Sequence, residues 1–79
     1  MKPPRKRSVT IRGHRTSFSV EDAFYEKLEA AAEARAIPLA RLIAQIDSDR
    51  PREVNLSSAI RLFVLDWVQS SKSDVGVLK

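Results

Sequence analysis

Ser8-Val-Thr-Ile-Arg-Gly-His-Arg-Thr-Ser-Phe-Ser-Val20 alternates apolar and polar residues with the two-residue period of a β-strand. Val9 and Ile11 share one phase, Thr16, Phe18 and Val20 share the other, and the phase slips at Gly13-His14. Such a slip must be absorbed by an extra residue or by a turn. Gly13 can bulge one long strand over about 9–20. Alternatively it can open a two-residue type II′ turn and fold the stretch into a hairpin. In that hairpin Ile11 faces Thr16, Val9 faces Phe18, and Arg12 stands opposite Arg15. The two arginines repel unless an anion lies between them. Both arrangements turn Thr16, Phe18 and Val20 toward a core and Arg15, Ser17 and Ser19 away from it.

The same end of the chain carries the excess positive charge. Of 14 lysines and arginines, six lie in the first twenty residues: Lys2, Arg5, Lys6, Arg7, Arg12 and Arg15. All ten acidic residues come later. A basic strand ahead of a helical body with a slight acidic excess is a footprint for a polyanion, nucleic acid foremost. Residues 1–7 contain a Pro pair and nothing to bury. They read as a mobile arm, either merely solvated or seeking phosphate.

Helical periodicity follows. Ser19-Val-Glu-Asp22 reads as a capping box, so a first helix is expected over about 21–36. Its apolar face holds Phe24, Leu28, Ala31 and Ala32, with Phe24 and Leu28 as core. Ala36-Ile37-Pro38 ends it. Pro38 suits the first position of a second helix, about 38–47, striped by Leu39, Leu42, Ile43 and Ile46. A polar loop from Asp47 to Glu53 precedes a third helix, about 55–68, capped by Asn55 or a serine. Ile60, Phe63, Val64 and Trp67 form one stripe on it, and Leu62, Leu65 and Val68 a second. A helix apolar on two sides needs more partners than one small chain supplies, which points to a second copy. Residues 69–79 read as a polar tail.

Several functions are disfavoured. The chain of 79 residues has one histidine and no cysteine, so no disulfide and no thiolate metal site can form. His14 has no partner ligands, and Asp47 and Asp49 read as solvated loop acids. No metal, no cofactor and no enzymatic activity are expected. No apolar run approaches the roughly 18 residues of a membrane span. A cytoplasmic protein without membrane contact is the expectation.

Arg15-Thr-Ser-Phe-Ser-Val20, then Glu21-Asp-Ala-Phe-Tyr-Glu-Lys-Leu28, then Ala32-Glu-Ala-Arg-Ala-Ile37, resembles the ribbon-helix-helix repressors of the MetJ/Arc class. The resemblance runs without a gap over 14–46. Asn55-Leu-Ser-Ser-Ala-Ile-Arg-Leu-Phe-Val64 is similar to a bacterial subgroup in which a polar insertion precedes a further helix. Together they cover 9–68, within a domain set at 8–68. The resemblance implies a mainly α fold with one short β element. It also implies an intertwined homodimer with an intermolecular antiparallel β-ribbon and an added C-terminal helix. Thr16, Phe18, Val20, Phe24, Leu28, Leu42, Ile43, Ile46, Ile60, Phe63, Val64 and Trp67 would then be core or dimer positions.

The resemblance also implies a function: a repressor-like regulator at the nucleoid that binds specific double-stranded DNA with its ribbon in the major groove. The implied base contacts are Arg15, Ser17 and Ser19, with Arg15 the best reader and Ser19 equally a helix cap. Lys2, Arg5, Lys6 and Arg7 would meet phosphate. Thr10, Arg12 and His14 would reach DNA from a hairpin or a long ribbon. The family clamps phosphate with backbone N–H groups at the start of the second helix, here about Leu39 and Ala40, although Pro38 has no N–H to give. The partners implied are double-stranded DNA and a second copy, with higher order on DNA left open. The alternative is an antitoxin-like interaction module whose helical face binds a partner protein, and the third helix favours it. The two can coexist.

Overall fold

The computed structural model describes residues 2–77, with side chains described through residue 70. The order is β1 (Arg5–Ile11), β2 (His14–Val20), α1 (Asp22–Ala34), α2 (Leu39–Asp49) and α3 (Leu56–Val77). The strands pair antiparallel with Ile11 opposite His14, Thr10 opposite Arg15, Val9 opposite Thr16, Ser8 opposite Ser17 and Arg7 opposite Phe18.

The phase slip is therefore a turn, and its two central residues are Arg12 and Gly13, one position earlier than the type II′ expectation. Both have positive φ, 50° and 79°, as a type I′ turn demands. Its backbone twist matches that of the flanking strands, so this turn closes the hairpin. Moving the turn by one residue slides the register by two. Val9 meets Thr16 rather than Phe18, yet every side chain keeps its face. Thr10, not Arg12, stands opposite Arg15. The two strands of this hairpin belong to one chain, and a two-residue loop holds them together at little entropic cost.

The inner face of the hairpin covers the helices. Ile11, Phe18 and Val20 are buried, with Val9 and Thr16 half-buried beside them. They meet Leu28, Ala31 and Ala32 of α1, Leu42, Ile43 and Ile46 of α2, and Leu56, Ala59, Ile60 and Val64 of α3. β1 lies against α2, and β2 against α3. Phe24, Phe63 and Trp67 pack at the margin, half-buried. Phe24 differs from its expected place in the core because it faces the open side of α1 and α3.

Element ends show where local signals were overridden. β1 begins at Arg5, so the basic stretch 1–7 runs into the sheet rather than ending as an arm. The α1 N-cap is Glu21, without a side-chain cap bond, so Ser19 forms no capping box and stays in β2. Pro38 is the N-cap of α2 rather than its first residue, so the helix starts one position later than expected, at Leu39, and continues to Asp49. Asp47 and Asp49 are thus helical, and Asp47 accepts from Arg50 Nε at 2.8 Å. Asn55 Oδ1 accepts from the Ser58 N–H at 2.9 Å, an N-terminal cap for α3. α3 runs on to Val77, past the expected end at 68, since no proline interrupts it.

The end of α1 is a Schellman motif without its usual glycine. Ile37 N–H donates to Ala32 O at 3.1 Å, and Ala36 N–H to Glu33 O at 3.0 Å. Ala36 sits at φ 57° to allow it. An L-residue there is strained by about 1–2 kcal/mol, offset in part by the entropy that glycine loses on folding. Ala36→Gly should therefore stabilise the fold by about 0.5–1 kcal/mol. Thermal melting should show a midpoint a few degrees higher, and an unchanged or lower midpoint would contradict the strain argument.

Candidate nucleic-acid interface

The hairpin has one side chain per two residues on its outer face. These are Lys6, Ser8 and Thr10 on β1 and Arg15, Ser17 and Ser19 on β2. All are exposed except Ser19, which is half-buried. Because the sequence holds no acid before Glu21, this face consists of two cations and four hydroxyls. Hydroxyls donate and accept, and an arginine fork matches the guanine O6/N7 edge, so the face has the chemistry for reading base edges.

Both ends of the ribbon are anchored. At the root, the Ser19 N–H donates to Ser57 Oγ at 2.8 Å, and Ser19 O accepts from an Arg61 guanidinium N–H at 3.5 Å. Arg61 Nε also donates to Glu21 Oε1 at 3.2 Å. Glu21's own backbone N–H, and then the Arg61 guanidinium, hold its carboxyl below the usual carboxylate range. One arginine of α3 thus ties the end of β2 to the start of α1. At the tip, the Arg12 guanidinium donates to Ser48 Oγ of α2.

The six N-terminal cations, alike in the sequence, occupy different places. Lys6 and Arg15 point outward and Arg12 sits in the turn. Arg7 turns inward: its guanidinium lies 3.8 Å over the Tyr25 ring and donates to Asp22 Oδ1 at 2.6 Å. Its side chain is only 19% exposed, and this combination marks it as structural. Arg5 and Lys2 reach the same carboxylate at 3.5 and 3.9 Å from exposed positions. Asp22 thus accounts for three of the cations expected to meet phosphate. His14 is exposed in the pair that closes the turn, in phase with Thr16 and Phe18 rather than Arg15.

At the start of α2, Arg41 and Leu42 N–H both donate to Pro38 O. As N-cap, Pro38 removes no donor from the first turn, and Leu39 and Ala40 keep N–H groups without an intrahelical partner. The sequence reading missed Ser8, whose outward position follows only from the hairpin. It also missed Ser57 and Arg61 as anchors of β2. Their spacing on α3 was visible, but their partners 38 to 42 residues away were not. Among the described residues no cluster of three or more His, Cys, Asp or Glu could hold a metal, and no helix is long and apolar enough to cross a membrane.

The division of the cations is testable. Arg7→Ala should cost about 1–3 kcal/mol of stability through loss of a charged, part-buried hydrogen bond. Lys2→Ala should stay within about 0.5 kcal/mol, as exposed ion pairs do. Denaturant titration of both variants would show the difference, and equal midpoints would contradict a structural role for Arg7.

A family model described as a ribbon-helix-helix domain matches residues 4–68. No curated protein and no solved structure matches the chain. The matched span takes in both strands, α1, α2 and most of α3, including the anchored outer face of the hairpin. The chain belongs to the ribbon-helix-helix family, a fold of DNA-binding regulators.

Proposed function

We propose that the chain is a sequence-specific double-stranded DNA-binding regulator, repressor-like, that lays the outer face of its hairpin in the major groove. The observation that carries this reading is that face itself: exposed at five of its six positions, free of acids, rich in hydroxyls, and carrying Arg15 next to the turn. Arg15, Ser17 and Ser19 are the β2 positions aimed outward. Arg15 is the discriminating one, Ser17 the weaker, and Ser19 is restrained by its anchored backbone. Lys6 and Arg12 supply charge toward phosphate, with the Leu39 and Ala40 N–H groups as further donors. Lys2, Arg5 and Arg7 serve the Asp22 cluster first. The reading places the protein in the bacterial cytoplasm, at the nucleoid.

The working unit is proposed to be a homodimer. Leu62 and Leu65 on α3 remain 58% and 50% exposed. Leu65 lines a groove of about 250 Å³ with Ala23, Phe24, Lys27, Val64 and Val68, and Leu62 lines a second one against Leu42, Ile46 and Phe63. This apolar face also favours the second reading, an interaction module that docks a partner protein.

Arg15→Ala should weaken binding to a selected site by about 1–3 kcal/mol for each arginine–guanine pair, and relax base preference, with melting unchanged. Fluorescence anisotropy on selected and scrambled duplexes at two salt concentrations would measure this. If neither affinity nor preference changed, the hairpin would not be the reading head.

Light scattering at micromolar concentration should give twice the chain mass for the parent and the chain mass for Leu62→Asp/Leu65→Asp. A monomeric parent would leave the apolar face to a different protein and put the interaction-module reading ahead.

A further inference from the structure

We infer that the groove between α2 and α3 binds a small ligand with an apolar body and two opposite charges, a carboxylate at one end and an amine at the other. The inference is independent of the DNA-binding reading, because no residue of the hairpin lines this groove.

Chain connection sets the direction of the groove. α2 ends at Asp49 and α3 begins at Leu56, so the two helices run back along each other from the loop between them. The loop end is walled by Asp49, Pro51, Val54 and Ala59. The far end is walled by Leu42 and Phe63, with Arg35 beside them. Ile46 and Leu62 lie between. Leu42, Ile46 and Ala59 are buried, so the floor is apolar, and Leu62 is an exposed wall. Leu42 and Asp49 stand two helical turns apart on α2, which separates the two ends by about 10 Å. The groove holds about 350 Å³, within the range of about 300–1,000 Å³ usual for small-molecule sites.

One unpaired charge stands at each end. Arg35 is the C-cap of α1, and its guanidinium is held 5.0 Å over the Phe63 ring. That contact places the cation and leaves it without an oxygen acceptor. Among the described residues neither Arg35 nor Asp49 has an ion-pair partner. Arg50, the third charged residue of the lining, is committed: it donates to Asp47 Oδ1 and to Val54 O, each at 2.8 Å. Gln45, on the rim between the ends, is neutral.

These observations narrow the occupant. A fatty acid with its head at Arg35 would lay its tail against Asp49, and an alkyl amine with its head at Asp49 would lay its tail against Arg35. Either would strip water from a charge without giving it a partner, which is costly. A molecule charged at both ends satisfies both. The groove between α1 and α3 differs, since Lys27 is the one charged residue described in its lining. Leu62 also belongs to the apolar face proposed above for a second copy, so the test includes oligomeric state.

The labelled full chain is titrated with ω-aminooctanoate, octanoate and octylamine, and amide shifts are followed by two-dimensional NMR. The parent, Arg35→Gln and Asp49→Asn are compared, with melting curves and light scattering for each. Both side chains are exposed, so both variants keep the fold. Shifts should concentrate at Gln45, Asp49, Leu62 and Phe63. ω-Aminooctanoate should bind the parent about 2- to 5-fold more tightly than either singly charged probe, as one exposed charge pair contributes. Arg35→Gln should remove its advantage over octylamine, and Asp49→Asn its advantage over octanoate. If the three probes bind parent and variants alike, or the shifts gather in another part of the chain, the two charges select nothing and the inference falls. It falls equally if no probe binds. In that case a variant that is monomeric where the parent is dimeric would assign the groove to the second copy instead.

Discussion

The type I′ turn at Arg12-Gly13 is the constraint on which the rest of this structure depends. Two consecutive residues at positive φ reverse the chain within two positions and lock β1 to β2. Period-two geometry then sorts the first twenty residues into two faces. One is apolar and covers the helices, and the other is hydroxylated and basic and stays in water. Without the reversal, Val9 and Ile11 would lie far from Phe18 and Val20, and the core would lose a wall. Arg12 is not an ideal residue for left-handed backbone, and its guanidinium also bonds Ser48 of α2.

The outer face is precise only because its root is fixed. Ser57 and Arg61, one turn apart on α3, take up the backbone of Ser19, and Arg61 reaches on to Glu21. These bonds tie the end of β2 and the start of α1 to α3. A reading surface built on a rigid element loses less conformational entropy on binding than one built on a loop. The same bonds explain why Ser19 does not cap α1: its backbone is already committed to α3, and Glu21 occupies the cap position.

Charge is divided by a single carboxylate. Asp22, at the start of α1, gathers Lys2, Arg5 and Arg7 on one side of the hairpin, while Lys6 and Arg15 keep the other. A carboxylate in the first turn also suits the positive end of the helix. The outward face is thereby less cationic than the sequence total suggests. Under the proposed DNA-binding reading, that favours recognition through a few placed groups over bulk attraction to phosphate.

Much of this was legible in the residues alone, wherever the signal was periodic. Alternation put Phe18 and Val20 on the inner face and Arg15 and Ser17 on the outer one. That assignment survived a shift of register, because moving a turn by one residue preserves parity. Helical spacing identified Leu42, Ile43, Ile46, Ile60 and Val64 as buried, and left the α3 cap to Asn55 or a serine, of which Asn55 makes the bond. Period says nothing about which end of a strand pairs with what, or which cation meets which acid. The register of the hairpin, the inward turn of Arg7, the tie from Arg61 to Ser19 and Glu21, and the half-buried place of Phe24 were decided by tertiary structure. Each depends on a backbone conformation at the turn, on side chains that are distant in sequence, or on how helices meet, and no local pattern in a single chain encodes those relations.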